Sequence, residues 1–137
     1  MAFKTAYANP DGCAMDERGR LWVAHWGAGL VACYETAAGA AGEVAAEVHV
    51  PRASRVSSCA FGGPGLRDLL ITTAFEGLKE GITAEERAAL GEEHAGDLFL
   101  VRDVGVAGRP PNDNPGLGGG CGRGNGGAQG RGTAWYR

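Results

Sequence analysis

The sequence has few of the features that mark metal-binding, membrane-spanning or nucleic-acid-binding proteins. Its 137 residues include four cysteines, at positions 13, 33, 59 and 121, and no two of them are spaced as Cys-x-x-Cys. The histidines at positions 25, 49 and 94 do not complete a zinc-binding pattern with them. A formal net charge of −3 gives no reason to expect a nucleic acid or an anionic membrane as partner. No apolar run approaches the roughly 18 residues that a membrane span needs, and the first nine residues lack the apolar segment of a secretory signal. The sequence therefore predicts a cytoplasmic protein that binds neither nucleic acid nor membrane.

Short apolar segments separated by glycine-bearing turns occupy most of the chain. The first four predicted strands are Cys13–Met15, Leu21–His25, Leu30–Tyr34 and Glu43–Pro51, and together they form a four-stranded antiparallel meander. The same layout begins again with three further strands: Ser57–Phe61, Leu69–Thr73 and Asp97–Val101. A repeat of about 40 to 50 residues with four short strands is typical of a β-propeller blade. We therefore predict an all-β fold, a partial β-propeller of about two blades with four-stranded sheets.

Two segments depart from this pattern. The second repeat carries an insertion over residues 74–94, in which Thr83-Ala84-Glu85-Glu86 is a capping box that predicts a short helix from Thr83 to about Leu90. After Arg109 the chain becomes mostly glycine with scattered arginine, which cannot bury enough apolar surface to offset the entropy of ordering. We predict a partial propeller domain over residues 1–109 and a disordered Gly-rich tail over residues 110–137. The tail has too few arginines and aromatic residues to favour RNA binding.

Several strand residues are candidates for the core. Cys13, Cys33 and Cys59 each lie in an apolar strand, where a free thiol behaves as a small hydrophobe, so we predict that all three are buried. We expect Trp22 to pack between the blades. Trp26, at a strand end, is open to two interpretations: it lines a substrate mouth, or it packs at the core or the rim.

Asp11 is the candidate functional carboxylate. The Pro10-Asp11-Gly12 run predicts a sharp bend, because proline fixes φ and glycine supplies a backbone geometry that other residues resist. From the turn alone, the Asp11 carboxylate would cap its own backbone amides. Asp16 is interpreted as a hairpin turn former, and His25 as an ordinary strand residue.

Ser57 and Ser58 begin the strand that is equivalent to the one after Asp11, so one of the two could face a central channel. A serine nucleophile needs an activating base, and no histidine–aspartate partner is identifiable in the sequence. Glu85, Glu86 and Arg87 are interpreted as a solvated helix face.

Several blocks of sequence together carry a resemblance to a known family. They are Pro10-Asp11-Gly12-Cys13-Ala14-Met15-Asp16, Leu21–Gly27, Ser58–Gly63, Leu70–Ala74, Ala95–Phe99 and Val104–Gly108. In this order and at these spacings, over about residues 10–110, they resemble the senescence marker protein / gluconolactonase / regucalcin family. The resemblance implies a six-bladed β-propeller, of which this chain matches the C-terminal third.

The resemblance also implies a chemistry. Family members mostly hydrolyse a sugar lactone to an aldonic acid with one divalent cation, such as Ca, Zn, Mg or Mn, in the central channel. Asp11 matches the family's aspartate ligand to that cation, which is also considered a general base. Oxygen ligands suit a hard cation that polarises the lactone carbonyl.

The family's glutamate and asparagine ligands, and the residues that hold the sugar, match positions upstream of this chain. We therefore expect a fragment with an incomplete site and weak or absent cation binding on its own. The alternative function is a non-catalytic binding or assembly module that self-associates through exposed blade faces, or a chain without independent function. The sequence selects neither the lactone nor the cation.

Overall fold

A computed structural model of the chain describes residues 7, 9–75 and 78–110, which form two antiparallel sheets and one short α-helix. The predicted tail, apart from Pro110, lies outside the described residues, so its disorder and the boundary after residue 109 stay predictions. Among the described residues, no helix is long and apolar enough to cross a membrane.

The first sheet contains β1 (Pro10–Met15), β2 (Leu21–His25), β3 (Leu30–Tyr34) and β4 (Val44–His49), hydrogen-bonded in that order. The β2–β3 hairpin turns through Gly27, which has a φ of 86° that favours glycine over other residues. The predicted four-stranded meander is confirmed.

The second sheet contains β5 (Val56–Gly62), β6 (Asp68–Thr73) and β7 (Leu98–Val101), and a 3-10 turn (Pro64–Leu66) joins β5 to β6. In the described part of the chain this sheet has three strands, whereas the sequence predicts four-stranded sheets.

The chain after β7 returns to the first sheet. Asp16 and Gly108 form an isolated antiparallel bridge. The amide of Glu17 donates to the carbonyl of Ala107 at 2.9 Å, and the amide of Arg109 donates to the carbonyl of Met15 at 2.9 Å. This segment therefore ties the end of β1 to the second sheet instead of forming a fourth strand there.

The inserted helix α1 (Ala84–Ala89) begins as predicted from the capping box. The Glu86 amide donates to the Thr83 hydroxyl at 3.2 Å, and the Glu86 carboxylate accepts from the Thr83 amide at 2.8 Å. Arg87 donates from Nη2 to two backbone carbonyls of the loop over residues 93–95, each at 2.8 Å. Glu85 and Glu86 are exposed, as interpreted from the sequence, and Glu86 also completes the predicted capping box. The interpretation of Arg87 as part of this solvated face is wrong, because its side chain is half-buried and binds the loop.

The main core lies between the two sheets. Trp22 is 2% exposed, and its ring meets the ring of Phe61 edge-on at 5.7 Å between centroids. Cys33, Cys59 and Ile71 are buried in the same core. The predictions for Trp22, Cys33 and Cys59 are confirmed.

The prediction that Cys13 is buried is wrong, because its side chain is exposed. Ala14 is the β1 residue that packs against the core between the sheets. Successive side chains of a strand point to opposite faces, so Cys13 falls on the outer face.

Candidate functional site

Asp11 lies in β1 where its pairing with β2 is irregular. Pro10 pairs with His25 and Cys13 pairs with Val23, so β1 holds one more residue than β2 over this step. Such a β-bulge bends the strand and re-aims its side chains. The bend predicted at Asp11 therefore exists as a bulge within a strand, not as a turn before it.

Gly12 has a role that the sequence did not indicate. A Cβ built on Gly12 would lie 2.3 Å from the Ser58 hydroxyl oxygen and 2.9 Å from the carbonyl oxygen of Ser57. Glycine is thus needed for the close approach of β1 to β5. The prediction that Gly12 supplies an unusual backbone geometry is wrong, because its φ lies outside the left-handed region.

The place where β1 approaches β5, at Gly12 and Ser58, is called the junction below. The Asp11 side chain is exposed beside this junction. No amide or side chain in the described residues donates a hydrogen bond to its carboxylate. In the described structure Asp11 therefore does not cap backbone amides, as the turn alone had predicted. The exposed carboxylate can therefore accept a proton or contact a ligand.

Ser57 is held within the second sheet. Its hydroxyl lies 2.8 Å from the Thr72 hydroxyl and donates to the Thr72 carbonyl at 3.2 Å. Ser58 packs against Gly12, as described above. The junction therefore combines one carboxylate with a small group of hydroxyls.

His25 and Trp26 lie at the end of β2, beside the start of β1. His25 is fully buried, and its Nε2 is 2.9 Å from the hydroxyl of Tyr34. Trp26 is half-buried, its amide donates to the carbonyl of Asn9 at 3.0 Å, and it bridges to Arg55. His25 is therefore a buried strand residue, and the backbone of Trp26 helps to fix the entry into β1.

Asp16 is the buried carboxylate that sequence reasoning undervalued. Its Oδ1 accepts from the amides of Arg18 and Arg20, and its Oδ2 accepts from Arg20 Nε at 2.9 Å and Trp22 Nε1 at 3.1 Å. Burial by itself would raise the pKa of Asp16, but the hydrogen bond from Trp22 and the bonds and charge of Arg20 outweigh burial and lower it. The sequence signal for this hydrogen-bond network is the spacing of Asp16 from Arg20 and Trp22. The same spacing is common in hairpins that lack such a network.

The described residues alone do not form a complete cation site. Among them, no group of three or more His, Cys, Asp or Glu side chains is placed to hold a metal ion. Hard divalent cations such as calcium take about six to eight oxygen ligands. The junction offers Asp11 as one carboxylate ligand and does not supply the rest.

Two packed antiparallel sheets, with their first strands side by side and an exposed aspartate on one of them, define a pair of neighbouring blades from a β-propeller. The chain belongs to the SMP-30/gluconolactonase/LRE-like family, whose region model matches residues 1–75. The predicted fold class, an all-β partial β-propeller, and the predicted family are both confirmed.

The similar proteins include lactonase and regucalcin relatives. Over 101 residues the chain is 40% identical to pentonolactonase XacC of Haloferax volcanii, covering 74% of this chain and 32% of that protein. Over 102 residues it is 36% identical to regucalcin of Danio rerio, covering 74% of this chain and 31% of the relative. The chain thus spans about a third of the length of the relatives it matches.

Solved structures give the same fold. Regucalcin from Agrobacterium tumefaciens, described as a calcium-binding protein, superposes with a TM-score of 0.58 at 32% identity, over 73% of this chain and 30% of that one. A luciferin-regenerating enzyme superposes with a TM-score of 0.58 at 30% identity, with the same coverage.

Proposed function

We propose that this chain supplies part of the active site of a metal-dependent hydrolase that opens a sugar lactone to an aldonic acid. Family membership and the similarity to a pentonolactonase support this reaction class. The observation that carries the proposal is the exposed Asp11 carboxylate, held on a bulge where Gly12 packs against Ser58.

Lactone hydrolysis needs water to attack the ester carbonyl and lose a proton, while the ring carbon–oxygen bond breaks and the ring oxygen leaves as a hydroxyl. Asp11 is proposed as the general base that accepts the proton, because its carboxylate is exposed and no described group donates a hydrogen bond to it. A divalent cation, when bound, would polarise the lactone carbonyl.

Asp11 is also proposed as one ligand of this cation, which is Ca, Zn, Mg or Mn. The described residues do not supply a full set of ligands. The remaining ligands of the proposed site therefore come from outside the described residues, and cation binding by this chain alone is expected to be weak.

Paramagnetic broadening by Mn²⁺ tests the ligand role even when binding is weak. In nuclear magnetic resonance spectra of the full chain, Mn²⁺ should broaden the amide signals of Asp11 and Gly12 before those near Glu85, an exposed carboxylate on helix α1. The Asp11→Asn variant should lose this selectivity. Glu85→Gln is the matched control, since the Glu85 side chain is also exposed.

Uniform broadening of all exposed carboxylates, or the same broadening in Asp11→Asn, would refute the ligand role. A parallel assay follows acid release from glucono-lactone with each of the four cations. Any turnover by the chain should fall in Asp11→Asn and stay unchanged in Glu85→Gln.

A second candidate function, self-association as a non-catalytic assembly module, is favoured by an apolar face of the second sheet. Leu70, Leu98 and Leu100 are 39%, 68% and 46% exposed, and Leu70 pairs with Leu100 across β6 and β7. Their opposite strand face already packs against the first sheet. We propose a second copy of this chain as the partner, because the chain buries one face of this sheet against a sheet of its own kind.

Light scattering after size-exclusion chromatography tests this candidate. The wild-type chain should run as a dimer or larger, and Leu98→Glu should reduce its mass to that of a monomer. Leu90→Glu is the control, because Leu90 is 63% exposed and lies at the end of helix α1, not in the second sheet. A wild-type chain that is monomeric at all concentrations would exclude self-association.

A further inference from the structure

The second sheet repeats the bulge that carries Asp11. In the first sheet, residues 10–13 of β1 pair with residues 23–25 of β2, so β1 holds one extra residue. In the second sheet, residues 56–59 of β5 pair with residues 71–73 of β6, again with one extra residue in the first strand. Asp11 and Ser57 are each the second residue of their bulge. Ser57 therefore occupies the position in the second sheet that Asp11 occupies in the first.

The residue opposite the second bulge adds another hydroxyl. Thr72 is the middle residue of the β6 segment, and the corresponding β2 residue is Ala24, which has no polar side chain. The Ser57 hydroxyl lies 2.8 Å from the Thr72 hydroxyl. The second bulge thus carries a pair of hydroxyls where the first carries a carboxylate.

The two bulges are in contact at the junction. A Cβ built on Gly12 would lie 2.9 Å from the carbonyl oxygen of Ser57, so the backbone beside Asp11 touches the backbone of Ser57. β1 and β5 are both edge strands of their sheets, and each meets the other next to its bulge. The hydroxyl pair therefore lies on the strand that adjoins the one carrying Asp11.

The hydroxyl pair has spare capacity to accept hydrogen bonds. A hydroxyl group has one donor hydrogen and two acceptor lone pairs. Ser57 donates to Thr72, and Thr72 donates to the carbonyl of Ser58 at 3.4 Å, so both hydrogens are used within the sheet. No N–H or O–H group elsewhere in the described part of the chain donates to either oxygen. Both side chains are half-buried, so a ligand hydroxyl can still reach them.

We propose that Ser57 and Thr72 form a subsite that accepts hydrogen bonds from the ring hydroxyls of the sugar lactone. This inference rests on the proposed hydrolytic function, in which Asp11 acts at the lactone carbonyl. A site built to bind a substrate hydroxyl rejects an analogue without it, because the polar groups of the site are then left unpaired. Ser57 and Thr72 are therefore specificity-determining residues that favour a hydroxylated lactone over an unsubstituted one.

Amide chemical shifts of the full chain test the subsite without any reaction. The probe is anhydroglucitol, a ring polyol with no carbonyl to hydrolyse, and tetrahydropyran is the matched ring without hydroxyls. Anhydroglucitol should shift the amide signals of Ser57, Ser58 and Thr72 before others, whereas tetrahydropyran should leave them in place. Ser57→Ala and Thr72→Val should each weaken anhydroglucitol binding by about fivefold, as expected for the loss of one hydrogen bond.

Thr36→Val is the matched control. The Thr36 hydroxyl also donates to a backbone carbonyl, that of Gly19, but it lies at the other end of the first sheet from the bulge. This variant should bind anhydroglucitol like the wild type. Circular dichroism identifies the variants that are folded, and two substitutions of the pair keep the test decisive if one of them unfolds.

Equal shifts with both rings, or no shift at these amides, would overturn the proposal. Wild-type affinity in a folded Ser57→Ala or Thr72→Val variant would overturn it as well. Shifts at Ser57 without selective Mn²⁺ broadening at Asp11 would instead support the hydroxyl subsite and count against the cation ligand. Failure of the subsite can thus be distinguished from failure of the proposed hydrolytic function.

Discussion

Replacing Asp16 with alanine should strongly destabilise the fold. Asp16 is fully buried and accepts four N–H bonds, at distances from 2.9 to 3.1 Å, from Arg18, Arg20 and Trp22. A buried donor left without a partner costs about 1–3 kcal/mol. The Arg20 side chain is 16% exposed, so water can partly replace its bond, whereas the indole of Trp22 is buried. Together these losses predict a decrease of about 3–5 kcal/mol in the free energy of unfolding.

Urea unfolding of the full chain, followed by tryptophan fluorescence and circular dichroism, measures this loss. Asp16→Asn should cost less, about 2–3 kcal/mol, because its oxygen still accepts from both backbone amides. Glu85→Gln, on the exposed surface of helix α1, should change the free energy by no more than about 0.5 kcal/mol. An Asp16→Ala chain within about 1 kcal/mol of wild type would refute the inference that this network stabilises the hairpin.

The same network predicts a dependence on pH. The pKa of Asp16 is lower in the folded chain than in the unfolded chain, so its stabilisation is present above the unfolded-state pKa and is lost as pH falls through the folded-state pKa. The difference in stability between wild type and Asp16→Asn should therefore be largest near neutral pH. It should shrink as the pH drops below about 4. A constant difference over that range would contradict the assignment.

Three further changes test the fold locally. Gly12→Ala should lower the free energy of unfolding by about 1–3 kcal/mol, because its Cβ would lie 2.3 Å from the Ser58 hydroxyl oxygen. If the variant unfolds at the same urea concentration as the wild type, β1 and β5 are not in close contact. Thr83→Ala should weaken helix α1 by about 1 kcal/mol, seen as faster hydrogen exchange of its amides, while unchanged exchange would argue against the capping box. In a chain whose tail cysteine is replaced by serine, the exposed Cys13 should react quickly with a disulfide reagent. Cys59 is buried and its pKa is raised to about 12, so it should react only after unfolding. Equal reaction rates for the two thiols would contradict this difference in exposure.

Local signals predicted much of the secondary structure. The bounds of β2 and β3 match the predicted strands, since the apolar run and the glycines of each hairpin are contiguous in the sequence. The helix over residues 84–89 followed from the capping box, which involves four adjacent residues. Where the determinants of an element lie within a few residues, the sequence pattern was sufficient.

The errors arose where distant segments meet. The exposure of Cys13 depends on which face of β1 packs on the second sheet, and a three-residue strand prediction did not include the bulge that sets this alternation. The segment ending at Arg109 pairs with Met15. Because these residues are far apart in the sequence, no local pattern predicts that this segment lies beside β1. The same holds for Gly12, whose contact with Ser58 joins two repeats.

The identity of Asp11 as a candidate ligand came from resemblance to the family, and its exposure on a bulge came from the structure. A turn with proline, aspartate and glycine is common, so its composition alone predicts a cap more readily than a ligand. Asp11 became a candidate ligand only when the surrounding blocks of sequence were considered together.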